Sequence, residues 1–195
     1  MIELIRENPV VAVIALCEIG LWALLGAGLV ARYILRLRLV STVLLACIPL
    51  LDVVLVVATA LDLHHGSPVE LVHGLAGIYL GFSVAFGPTI VRWADARFAH
   101  RFAGGPPPVK PPKRGPGRRA HLWREWNRVV TAAAIASAVL LFLIVVIATD
   151  DQAGPLWWWI GRAWLIVGIW LVAGPLWESG GSSDEDERAE PARQV

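Results

Sequence analysis

Residues 61–112 read LDLHHGSPVELVHGLAGIYLGFSVAFGPTIVRWADARFAHRFAGGPPPVKPP. Leu71–Val91 is apolar for about 20 residues, the length a helix rising 1.5 Å per residue needs to cross a hydrocarbon core of about 30 Å. The polar turn before it, Asp62–Glu70, contains no Lys or Arg. After it, RWADARFAHRF continues the helix with arginines and aromatics interleaved, which suits a headgroup zone and anionic lipid. AGGPPPVKPP follows, where proline removes N–H donors and favours extended polyproline geometry, so a stiff strap is expected. The stretch describes a helix that enters a bilayer on one side, leaves on the other, and is anchored where it leaves.

Four more apolar runs of similar length flank it: Pro9–Ala31, Leu39–Leu61, Val129–Thr149 and Leu156–Trp177. The composition agrees, since 195 residues that are 56% hydrophobic and 17% charged, with a mean hydropathy of +0.61, are too apolar for an ordinary soluble domain. The first run is not a typical signal peptide. Its leading MIELIRE lacks the usual positive charge and its apolar core exceeds the expected 7–15 residues, so an uncleaved anchor is expected. Basic residues alternate between connections. Arg32, Arg36 and Arg38 follow the first run, and Arg92 through Arg128 follow the third, whereas Asp62–Glu70 and Asp150–Pro155 have none. By the positive-inside rule the basic connections are cytoplasmic. The expected fold is an all-α membrane protein, a bundle of five transmembrane helices with the N-terminus outside and the C-terminus cytoplasmic. Its divisions are helices 1–3 over residues 1–91, a basic proline-rich cytoplasmic loop over 92–128, helices 4–5 over 129–177, and a disordered acidic cytoplasmic tail over 178–195.

Arg97, Arg101, Arg114, Arg118 and Arg119 in the long loop are the candidate ligands for anionic lipid headgroups. Nucleic acid is not expected, because the loop has no recognisable module and lies between membrane spans. The P-x-x-P match at Pro108–Pro111 is weak in a proline-rich spacer. The acidic tail shares the loop's compartment and opposes its charge, so it can lie against it. Tryptophans support the same threading: Trp157–Trp159 open the fifth run at one interface, and Trp93, Trp123, Trp126 and Trp177 gather at the other. Cys17 and Cys47, each inside an apolar run, read as small buried hydrophobes.

Function should leave its trace among the polar groups of the spans. A charge in lipid costs about 2.5–3.5 kcal/mol on insertion scales. Glu18, Asp52 and Arg162 each lie about 7–9 residues from the outer end of their expected helices, some 10–14 Å deep, with Tyr79 near the same level. Charges at one depth on three helices are expected to face each other. Pro49, three residues before Asp52, cannot donate to the carbonyl of Leu45, and a freed carbonyl beside a buried carboxylate resembles the broken-helix ion sites of transporters. The competing structural reading has Arg162 neutralising one acid while the other stays protonated, which holds the bundle together.

A second group, Asp62, His64, His65, Glu70 and His73, marks the outer rim. Its residue types can bind metal, yet the spacing matches no ligand motif, and histidines in a polar turn are usually solvated. The Gly77-x-x-x-Gly81 spacing allows a neighbouring helix to approach closely.

LDLHHG, VHGLAGIYLGFSVAFG and RWADARFAHRFAGGPPPVKPPKRG, with CEIGLWALLGAGLVARY in the first span, together resemble an uncharacterised family of small bacterial polytopic integral-membrane proteins. The resemblance covers about the first two thirds of the chain. It implies a multi-pass protein of the bacterial cytoplasmic membrane and carries no activity, so no site residue follows from it.

Two readings of function stand. In the first, the protein moves or senses a small solute or proton through Glu18, Asp52, Arg162 and Tyr79. In the second, it is a non-catalytic scaffold or complex subunit that binds anionic lipid or a membrane-protein partner, a second copy included. An enzyme ranks third, for no nucleophile motif, phosphate loop or haem signature is present, and no cofactor is predicted.

Overall fold

The computed structural model describes the backbone of residues 9–102, 104–108, 112 and 115–178, and their side chains except at 9–11, 14, 15, 18, 38 and 102. Among the described residues five helices follow one another: α1 Pro9–Tyr33, α2 Arg38–His64, α3 Leu71–Phe102, α4 Pro116–Phe142 and α5 Asp150–Leu171. α4 and α5 each run on into a wider π-helical turn, Leu143–Ile147 and Val172–Leu176. Among the described residues there is no strand. The helices α2, α3, α4 and α5, with the π-turns of the last two, are long and apolar enough to cross a membrane, and α1 contributes the shorter apolar stretch Ile19–Tyr33. Large apolar side chains stand on their outward surfaces: Leu16, Trp22, Val145 and Leu165 are exposed. A surface of this kind suits lipid and not water.

The helix limits differ from the apolar runs where polar residues make good helix. α3 continues through RWADARF to Phe102, and α4 begins at Pro116, well before the apolar run at Val129. Asp150–Pro155, expected as a turn, is the opening of α5. Thr149 caps it: the Thr149 side chain accepts from the backbone of Gln152, while the Thr149 N–H donates to Gln152 Oε1 at 2.9 Å. This reciprocal box and the two acids Asp150 and Asp151 in the first turn favour helix there. Pro155 leaves one acceptor free, on the exposed Asp151, where water can take it.

The connections at one end are short. The α2–α3 turn passes through Gly66 at φ 86°, a left-handed conformation that glycine adopts without strain, and α4 meets α5 across Ala148–Thr149. This is the short-turn end. The opposite end carries the arginines and the proline-rich segment and is called the basic end.

Each helix packs mainly on its sequence neighbours, and α3 also touches α1 and α5. One face of α3 is glycine: a Cβ at Gly74 would overlap the Trp159 ring of α5, and one at Gly81 would overlap the Ala132 carbonyl of α4. At Gly77 it would press on Leu140 and the Ala136 carbonyl. The close approach allowed by the Gly77–Gly81 spacing is therefore made by α4. Leu63, Leu140, Leu143, Leu156 and Ile160 fill the core at the short-turn end, and Ala133, Ala163 and Val167 fill it between α4 and α5. A smaller cluster of Cys17, Leu55 and Ala76 joins α1, α2 and α3.

Candidate functional site

α1, α2 and α3 enclose a cleft of about 920 Å³. α2 forms its back wall, and both α2 and α3 carry a proline there, Pro49 and Pro88. Neither proline can return an N–H to the carbonyl four residues earlier, which belongs to Leu45 or Val84, and both of these residues also line the cleft. The helices nonetheless run unbroken through both positions. α1 and α3 meet sparingly, and the cleft opens between them: Trp22, Phe82 and Ile90 on its lining are 71%, 49% and 38% exposed.

Asp52 stands on the back wall and is only 4% exposed. Ser83 of α3 hydrogen-bonds its carboxylate. Its Oδ2 has no partner among the described residues. A buried carboxylate oxygen left unpaired is costly, and sites that tolerate one hold it for a reason. Two hydroxyls, Ser41 Oγ and Thr59 Oγ1, are likewise unpaired, but both residues are fully buried and neither lines the cleft. Tyr79 and Cys17 line the cleft with Asp52.

Arg162 does not come to this carboxylate. α5 buries Gln152, Leu156, Ile160, Ala163 and Val167, and Arg162 falls off that stripe. It is exposed, with its guanidinium 4.4 Å and 5.3 Å from the ring centroids of Trp158 and Trp159, a cation–π arrangement within one helix. The ion pair expected between α5 and an acid of the first three helices is therefore absent among the described residues, because helical phase and not depth decides which way a side chain faces. The Glu18 side chain, the other acid of that expected cluster, lies outside the described residues.

At the basic end of the cleft a clasp joins α1 to α3. Arg32 pairs with Asp95 at 2.7 Å, Tyr33 Oη donates to Asp95 Oδ1 at 2.5 Å, and the Tyr33 and Phe98 rings stack at 4.9 Å. Sequence reading took Arg32 only as a topological charge and passed over Asp95. The signal was there: Asp95 is the lone acid in the RWADARFAHRF segment.

The rim group divides. His73 is 1% exposed and accepts the Glu70 N–H at Nδ1 (2.8 Å). The ring proton therefore sits on Nε2, which donates to Asp62 Oδ2 at 2.8 Å, and Ser67 Oγ donates to Asp62 Oδ1 at 2.8 Å. His64, His65 and Glu70 are exposed, with His65 Nδ1 against the Leu61 carbonyl. Among the described residues no group of three His, Cys, Asp or Glu is placed to hold a metal ion. A residue outside the expected site is Gln152, whose signal in the sequence is the Thr149-x-x-Gln152 capping pattern. Its Nε2 donates to the carbonyls of Leu63 (3.1 Å) and Ser67 (2.7 Å), fastening the α2–α3 turn to the start of α5.

Of the expected lipid-binding arginines, Arg97, Arg101 and Arg119 are exposed, with Arg97 5.3 Å over the Trp93 ring. Arg118 pairs with Glu178 at 2.7 Å, which brings the first residue of the acidic segment to α4. Arg114 and residues 179–195 lie outside the described residues.

Over 126 residues the chain is 32% identical to a protein of Bacillus subtilis (strain 168) named uncharacterized membrane protein YmcC, a match covering 64% of this chain and 67% of that protein. The chain belongs to the YmcC family. No protein-family profile matches it, and no solved structure does. Membership and apolar helices together make this an integral, multi-pass membrane protein, one of a bacterial family whose shared name specifies the membrane and no reaction.

Proposed function

We propose that this YmcC-family protein crosses the bacterial cytoplasmic membrane five times, N-terminus outside, and takes up a small solute or proton in the cleft around Asp52, to transport or sense it. The observation that carries the reading is the Asp52 carboxylate: 4% exposed, on the wall of a cleft of about 920 Å³, with Oδ2 unpaired among the described residues. Mostly apolar cavities with a few placed polar groups are the usual form of small-molecule sites, and intramembrane carboxylates mark solute and proton paths. The orientation rests on the basic connections, and places the clasp and Arg97, Arg101 and Arg119 on the cytoplasmic side.

Two readouts test it. Proteoliposomes loaded with a pH-sensitive dye report proton flux, and neutral N-phenylnaphthylamine binding in nanodiscs reports occupancy of the cleft. Asp52→Asn is expected to abolish flux. Gly87→Leu, whose Cβ meets nothing within 4 Å and which lines the cleft, is expected to displace the dye. Folded variants that leave both readouts at wild-type values would sink the proposal.

The alternative, a non-catalytic scaffold or subunit, draws on the exposed Arg97, Arg101 and Arg119 beside the exposed Trp93 and Trp123. Arginine and tryptophan together suit anionic headgroups or a protein partner. Neutralising these three arginines and finding unaltered binding to phosphatidylglycerol vesicles would remove its support.

A further inference from the structure

We infer that the cleft takes an amphipathic ammonium ion, a single N–H-bearing cation on an apolar body, drawn sideways from the bilayer. The inference rests on reading the cleft as a solute site and names the class of solute. The side-chain atom without a partner there, among the described residues, is an acceptor, Asp52 Oδ2. The carbonyls of Leu45 and Val84, on the same lining, receive no N–H from Pro49 and Pro88. Ser83 already serves the carboxylate. The described arginines that line the cleft are engaged, Arg32 by Asp95 and Arg92 by Thr89 at 3.3 Å, and Arg162 lies over Trp158. A ligand that completes the site must therefore bring donors and positive charge.

An anion would meet the carboxylate's field at low dielectric, where like charges repel strongly. A neutral alcohol supplies a donor without the charge, and charge-assisted hydrogen bonds are about twice as strong as neutral ones. Leu21, Leu25, Leu55 and Val91 give the rest of the cleft an apolar lining, which accepts an alkyl or aryl body. Its open side runs between α1 and α3, where Trp22 and Phe82 stand exposed on the apolar surface of the bundle. A molecule already dissolved in the bilayer enters the cleft without crossing water.

The test uses the full chain in lipid nanodiscs, with empty nanodiscs subtracted, and four probes that share one tail: dodecylammonium, dodecyltrimethylammonium, dodecanol and dodecylsulfonate. Saturable binding of one dodecylammonium per chain is expected, about tenfold tighter than dodecanol, with the trimethyl compound between them and the sulfonate weakest. Asp52→Asn should erase the tenfold preference and leave dodecanol within about twofold of its wild-type affinity. Gly87→Leu, whose Cβ enters open space on the cleft lining, should weaken dodecylammonium by about tenfold or more, and keeps the test decisive if Asp52→Asn does not fold. Saturable binding with no headgroup preference, or a preference that survives Asp52→Asn, overturns the cation assignment and leaves a solute site standing. Strongest binding of the sulfonate also overturns it, and points to Arg32 and Arg92 as the holding groups. No saturable binding of any probe overturns this inference and the reading beneath it together.

Discussion

Gly81 and Gly87 lie six residues apart on α3 and face different worlds. A Cβ at Gly81 would run into the Ala132 carbonyl, whereas one at Gly87 meets nothing within 4 Å. On the first face, α3 is pressed backbone to backbone against α4, and there glycine is a packing device. On the second it borders the cleft, and the space above it is part of that cavity. The polar groups follow the same division. At the short-turn end Asp62, His73, Ser67 and Gln152 satisfy one another and the neighbouring backbone, so that network accounts for its own presence. On the cleft side Asp52 keeps an oxygen without a partner among the described residues. Completed networks hold a fold together, and an incomplete one points to something that arrives from elsewhere.

The contrast is breakable in graded steps. Gly81→Leu should cost about 3 kcal/mol or more, read as the loss of folded protein in an SDS titration, since the obstacle is backbone and cannot swing aside. Gln152→Ala should cost about 3 kcal/mol in the same titration, because it strips the donors from two carbonyls and unpairs the Thr149 N–H. It should leave probe binding in the cleft unchanged. His73→Ala should cost about 2 kcal/mol, by unpairing Asp62 Oδ2 and the Glu70 N–H. Asp52→Asn should move stability by no more than about 1 kcal/mol in either direction, since it removes a poorly satisfied charge, while its effect on binding is large. Gly87→Leu should change stability least, within about 0.5 kcal/mol, and still block the cleft. If Gly87→Leu proved as damaging as Gly81→Leu, the two faces of α3 would be alike and the cleft would lose its meaning.

Hydropathy located the five helices of the described residues, because lipid demands long apolar runs and the code for them is one-dimensional. It placed their ends less well. Asp150–Pro155 looked like a turn until the Thr149–Gln152 box was considered, a signal carried by two residues against a general impression of polarity. Asp52 was legible as a candidate from its cost in lipid and the nearby Pro49. Its companions were not. Ser83 and Pro88 come to it from another helix, and Arg162 fails to reach it although sequence put both at one level. Depth can be counted along a chain, while rotation about the helix axis depends on packing that a single sequence leaves open. The rim histidines show the same limit: His73 turns inward to Asp62 while His64 and His65 turn out.

α3 has 32 residues, about 48 Å of helix, against a hydrocarbon thickness of about 30 Å. The α2–α3 turn is short, so the excess must emerge at the other end, together with the early turns of α4. That overhang, about 18 Å on an untilted helix, is more than twice the headgroup layer of about 5–7 Å on one face. An untilted α3 therefore carries Arg97 and Arg101 through the phosphate level, and its last residues end on the water side of the headgroups.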